Sequence, residues 1–221
     1  MSSSSLMLMA KGLVAGYGGA PVLSGLDVDI PKGERWALAG ANGAGKTTLL
    51  KLAGGVISIS SGVLEVMGGN PSHASIRRRI GSLGAGDGFY PTMTGLENLL
   101  FFQSLNGECD RDDAERHLEG LSLVPSRMPV SAFSTGMRRR LALARLALGH
   151  HEVLLLDEPF RGLDTEGCAW LDSWLDARHQ AGKGWILVSH DAGRITRHAD
   201  HVARLAGGVV HAIERTGGVR R

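Results

Sequence analysis

Residues 40 to 47 read GANGAGKT, with Thr48 directly behind them. Ordering a glycine costs more backbone freedom than ordering any other residue, so a loop with three of them needs a partner that offsets the cost. The spacing is G-x-x-x-x-G-K-[ST], after the apolar run WALA and before the helix-like KTTLLKLA, and that context makes it a cradle for a polyphosphate. The expected phosphate-contacting set is Gly40, Ala41, Asn42, Gly43, Ala44, Gly45, Lys46, Thr47 and Thr48. Backbone N–H groups and the positive end of the helix wrap the anion, Lys46 neutralises its outer oxygens, and Thr47 reaches a magnesium ion. A second segment, LLLDEP, ends an apolar run in two carboxylates. Asp157 can hold the magnesium through water, and Glu158 can orient or deprotonate an attacking water.

These loops need a sheet to carry them. Leu6 to Val14 and Leu26 to Ile30 read as short antiparallel edge strands, Arg35 to Ala39 as the strand before the cradle, and Lys46 to Ala53 as the helix that Gly54 and Gly55 stop. Gly62 to Val66 reads as another strand; residues 68 to 94 read as loops with a short helix around Ile76 to Ile80. Val153 to Leu156 and Trp185 to Ser189 are continuous apolar runs, the pattern of strands covered on both faces. Between Leu96 and about Gly149 the spacing is helical: LENLLFFQSL, DRDDAERHLEGLSL and TGMRRRLALARLALG. Strands that alternate with helices predict a mostly parallel α/β core, here with an antiparallel β edge and a helical lobe.

Three further segments follow in order. FSTGMRRRLALAR (133 to 145) precedes LLLDEP, GLD follows at 162 to 164, and Ser189 with His190 comes after WILV. The whole series resembles the nucleotide-binding subunit of an ABC transporter from Leu6 to Ala212. The resemblance implies a P-loop NTPase fold in a single domain over residues 1 to 221, with the helical subdomain at about 95 to 149 inserted in the α/β core. It implies ATP and Mg2+ as ligands, with Tyr17 stacking on adenine and His190 holding the γ-phosphate and the attacking water. Ser134 and Gly136 match the signature loop that one subunit presents to its partner's nucleotide, and Asp164 would sit at the dimer seam. The partners implied are a transmembrane permease and a second ATPase subunit, identical or related, at the cytoplasmic face of the cell membrane. FYPTMTGLENLLFF and a lone cassette look like the export type; heme, drug and polysaccharide remain open as cargo, although EPF in EPFRGLD is similar to heme exporters. The alternatives are a non-transport cassette ATPase acting on DNA or ribosomes, and an ATP-binding scaffold with weak hydrolysis.

The pattern departs from the family in two places. The usual LSGGQ is Phe133, Ser134, Thr135, Gly136 and Met137, and Ala85 stands where the family has a glutamine that contacts magnesium. Asp87 is either a substitute ligand or a turn aspartate between Gly86 and Gly88.

Composition excludes several classes. With 24 basic and 22 acidic residues, the formal charge of +2 gives no footprint for nucleic acid, and none is expected as a partner. Cys109 and Cys168 form no CxxC pair, which argues against a disulfide framework and fits a reducing compartment. No apolar stretch approaches the ~18 residues that cross a bilayer. Arg138 to Arg140 read as a solvated helix face, the nine histidines as surface residues without metal spacing, and Trp170 with Trp174 as helix residues packing on the sheet.

Overall fold

The computed structural model describes residues 5–84, 86, 88–124 and 127–216. In chain order its elements are β1 (Leu6–Tyr17), β2 (Ala20–Pro31), β3 (Arg35–Ala39), α1 (Lys46–Ala53), β4 (Ser61–Val66), α2 (Ala74–Arg77), β5 (Ile80–Leu83), α3 (Gly95–Ser104) and α4 (Arg111–Gly120). Then come a 3-10 turn at Val130–Ala132, α5 (Thr135–Leu148), β6 (Val153–Asp157), α6 (Thr165–Gln180), β7 (Gly184–Val188), α7 (Ala192–His198), β8 (His201–Ala206) and β9 (Val209–Arg215). The backbone divides into two compact units, residues 1–82, 151–159 and 178–221 in one, 83–150 and 160–177 in the other.

The first unit holds the strands. A six-stranded sheet runs β5-β6-β7-β3-β8-β9, with β6/β7, β7/β3 and β3/β8 parallel and β8/β9 antiparallel. The mostly parallel core is therefore as the apolar runs predict: α1 packs against β6 and β7, α7 packs against β3, and Leu155, Leu156, Ile186 and Leu187 are buried. The antiparallel edge turns out to be a separate sheet, β2-β1-β4. β2 alternates cleanly in its second half, Leu26, Val28 and Ile30 inward and Asp27 and Asp29 outward.

β1 and β2 run 12 residues each, well past the sequence boundaries. Gly12 and Gly25, with positive φ angles of 55° and 85°, sit at irregularities in the ladder, so the strands bend and continue. Tyr17 thus ends a strand. Residues 68–84 also hold a strand that the loop reading passes over, because the IGSL run of β5 is only four residues.

The second unit is helical, and three of its helices open on side-chain caps. Thr94 and Glu97 form a capping box on α3, Asp110 caps α4, and Ser134 caps α5. Leu99, Ala114, Leu118, Leu141, Leu143 and Ala144 are buried within it. The helical stretch expected at 95 to 149 lies in this unit, which also takes in residues 83–94 and 160–177.

Two sequence readings need correction. Arg138, Arg139 and Arg140 are half-buried and donate to the carbonyls of Ser131, Gly84 and Leu121, so they are tethers within the unit and not a solvated face. His198 is fully buried, its carbonyl accepting from the Trp185 indole N–H at 2.7 Å, and His201 stacks on Trp36. Trp170 and Trp174 stack on each other, and a Cβ at Gly120, at the end of α4, would lie 3.8 Å from the Trp170 indole nitrogen.

Candidate active site

In the first unit, β3 delivers the chain into a loop that α1 continues. Gly40, Gly43 and Gly45 have φ angles of 150°, 81° and 103°. A Cβ at Gly40 would sit 2.2 Å from the Leu205 carbonyl oxygen, and one at Gly45 would sit 2.4 Å from Leu23 Cδ2. Both conformation and space demand glycine at these two positions. α1 begins at Lys46 with Gly45 as its cap residue, no side-chain cap and no acidic residue in its first turn. The other helices of eight or more residues whose caps are described, α3, α4 and α5, all receive a side-chain oxygen there. The N-terminal N–H groups of α1 and the positive end of its dipole are therefore left for an anion.

Lys46 is 7% exposed, and its ammonium donates to the carbonyls of Gly40 at 2.7 Å and Ala41 at 2.9 Å. An ammonium has three donors, so the loop holds the charge inward and keeps one donor for an oxygen of the ligand. Thr47 Oγ1 donates to Asp157 Oδ2 at 2.7 Å, joining residues 110 positions apart. That pair brings together the two expected metal contacts at the end of β6. A hydroxyl and a carboxylate fit a hard cation that takes oxygen ligands and keeps waters. Among the described residues no group of three or more His, Cys, Asp or Glu side chains could hold a metal by itself.

Glu158 follows at once in a left-handed conformation, φ 48°, with its N–H donated to the Val188 carbonyl at 2.9 Å. This ties the backbone after β6 to the C-terminal end of β7, from which Ser189 and His190 continue. His190 Nε2 lies 3.7 Å from Glu158 Oε1, with the imidazole 63% exposed. A non-glycine residue held at positive φ is costly, and such strain gathers at functional positions. Tyr17 stands exposed at the end of β1, with Lys51 Nζ 5.6 Å from its ring centroid.

The remaining expected residues lie in the second unit. Ser134 Oγ accepts from Met137 N at 3.2 Å, which opens α5, and Gly136 occupies its first turn. Asp164 opens α6, its Oδ1 accepting from Gly167 N at 2.9 Å and its carbonyl from Cys168 N at 2.9 Å. The Gly167 N–H bond, helped by the Arg140 guanidinium, holds the Asp164 carboxyl below the usual carboxylate range. Ala85 and Asp87 lie outside the described residues.

Sequence reasoning missed the arginines of α5 and Asn98. Arg145 stacks over the rings of Phe89 and Phe102 at 5.0 and 4.8 Å. Asn98, fully buried, accepts from Tyr90 N at 2.8 Å and donates to the carbonyls of Tyr90 and Thr94. The available signals were an arginine-rich helix with acidic residues in GLDTE, and a polar residue on an apolar helix face.

Known proteins resemble this chain in sequence and fold. The sequence profile described as ABC transporter matches residues 23–161. The chain is 37% identical over 186 residues to the cytochrome c biogenesis ATP-binding export protein CcmA of Rhodopseudomonas palustris (strain BisB18), covering 84% of this chain and 92% of that one. It is 32% identical to the bacitracin transport ATP-binding protein BcrA of Enterococcus faecalis over 93% of this chain, but spans only 66% of that protein's length. It is 30% identical to the lipoprotein-releasing system ATP-binding protein LolD of Bacteroides thetaiotaomicron, over 95% of this chain and 98% of that one. A solved ATP-binding subunit of an ABC transporter superposes with a TM-score of 0.84 at 25% identity, covering 95% of this chain and 90% of that one. A matching profile over more than half the chain, near full-length relatives and the same architecture lead to one conclusion: the chain belongs to the ABC transporter family, as an ATP-binding cassette.

Proposed function

We propose that the protein is the ATP-hydrolysing subunit of an export-type ABC transporter, docked at the cytoplasmic face of the membrane through a separate permease. The observation that carries the ATPase reading is the Thr47–Asp157 contact beside a phosphate loop whose helix has no cap of its own. The nucleotide's phosphates lie against the amides of residues 40–48 and the Lys46 ammonium, and Tyr17 offers its ring to the base. Thr47 and Asp157 would hold Mg2+, which would neutralise charge developing on the phosphate oxygens. Glu158 takes the proton of the attacking water, and His190 orients its carboxylate and the terminal phosphate. Two protomers close over two nucleotides, each phosphate loop covered by the partner's Ser134–Gly136 turn, and Asp164 sits at the seam.

Export is supported by what the relatives are called, an export protein and a lipoprotein-releasing protein among them. The cargoes and systems in those names differ, which is expected if the cargo is chosen by the permease and not by the cassette. No helix among the described residues is long and apolar enough to cross a membrane, so the span belongs to another chain in this reading.

The test is phosphate release by the purified chain with ATP and Mg2+, alongside sedimentation of the Glu158→Gln variant. We expect release by the parent that Lys46→Ala abolishes, and an ATP-dependent dimer of Glu158→Gln. A parent that neither binds nor hydrolyses ATP overturns the proposal.

A further inference from the structure

The arginine run of α5 is the sequence feature that the ATPase reading does not absorb. Arg140 lies six residues beyond Ser134, and its side chain is only 16% exposed. Its guanidinium is bonded to Asp164 Oδ2 and lies 3.6 Å from Glu166 Oε2, while Nη1 donates to the Leu121 carbonyl at 3.2 Å. Ser122, in left-handed conformation with φ 54°, closes the ring by donating its hydroxyl to Glu166 Oε1 at 3.0 Å. One side chain thus ties together the end of α4, the first turns of α5 and the start of α6. An isolated surface ion pair contributes little, but here one partly buried planar fork donates to two acceptors and lies in ion-pair range of a third, which fixes direction as well as distance.

The geometry points to Arg140 as a positioning residue, one that locks the Ser134–Gly136 turn and the Asp164 loop into a single rigid edge presented to the partner protomer. The inference rests on the reading under Proposed function, because it concerns how that edge meets the partner's nucleotide. Arg140 touches no substrate in this scheme. Its loss leaves the phosphate loop of the first unit intact and separates two elements that must arrive together.

The experiment compares Arg140→Met, Arg140→Lys, Asp164→Asn and the double variant Arg140→Met/Asp164→Asn. Phosphate release is measured against ATP concentration, and binding of a fluorescent ATP analogue is measured with each protein. We expect Arg140→Met to lower kcat at least tenfold while the analogue's Kd stays within twofold of the parent. Arg140→Lys keeps the charge but lacks the fork, and recovers less than half of the loss. The double variant is no worse than the worse single variant, since both cut one link. A kcat for Arg140→Met within twofold of the parent, losses that multiply in the double variant, or a Kd weakened as much as kcat overturns the inference. Should Arg140→Met fail to fold, Asp164→Asn/Glu166→Gln cuts the link from its exposed side, and a normal kcat there overturns it equally. An inactive parent overturns the ATPase reading, whereas an active parent with an unaffected Arg140→Met overturns this inference alone.

Discussion

Glu158 joins a backbone cost to a chemical role, and two substitutions separate them. At φ 48° a residue with a Cβ is in the left-handed region, which costs about 1–2 kcal/mol relative to the right-handed one. Glycine escapes that cost. It also gives the unfolded chain more freedom, which removes about 0.4–1 kcal/mol of the gain. Glu158→Gly should therefore stabilise the nucleotide-free protein by about 0.5–1 kcal/mol, a rise of ~1–4 °C in Tm for a chain of this length. Glu158→Gln keeps the Cβ and the strain, and its stability should stay within ~0.5 kcal/mol of the parent. Both remove the carboxylate that lies 3.7 Å from His190 Nε2. If Glu158 is the general base, both lose about 10²–10⁴ in turnover. The assays are urea unfolding without nucleotide and phosphate release at saturating ATP and Mg2+. A Glu158→Gly protein destabilised by more than ~1 kcal/mol refutes the strain argument. A kcat above one tenth of the parent's in either variant refutes the role of the carboxylate.

Other residues give independent checks. Tyr17→Ala should weaken binding of a fluorescent ATP analogue by about 5- to 150-fold, the ~1–3 kcal/mol of one base stacked on an aromatic ring, while Tyr17→Phe stays near the parent. Asn98→Leu should destabilise the protein by about 1–3 kcal/mol in denaturant unfolding, because the Tyr90 N–H loses its acceptor. The hydrogen-bonded Arg35 guanidinium depresses the Asp200 carboxyl below its ordinary 3.8. A depressed carboxyl contributes stability above the unfolded value and loses it as pH falls through the lower folded value. Stability measured from about pH 5 down to about pH 3 should therefore fall less steeply in Asp200→Asn than in the parent.

Much of the active site was legible because its parts are short in sequence. A phosphate loop is eight consecutive residues whose glycines and lysine have to be adjacent, and α1 begins and ends where KTTLLKLA does. The twice-buried strands β6 and β7 were equally plain, since a strand covered on both faces has no polar positions to blur its run. Other strands of the first unit were harder. β5 is too short to show a period, and irregularities in the ladder let β1 run on past Val14 and β2 begin ahead of Gly25.

By itself the amino-acid sequence determined the parts whose chemistry is carried by neighbours along the chain: the cradle, the carboxylates ending LLLDEP, the capped helices and the family they imply. Only the tertiary structure decided the pairings that span many residues: Thr47 with Asp157, Glu158 with Val188 and His190, and Arg140 with Asp164 and Glu166. The physical reason is that a hydrogen bond or ion pair depends on separation in space to within a fraction of an ångström. A linear pattern constrains that separation only within one helix turn, one strand face or one loop.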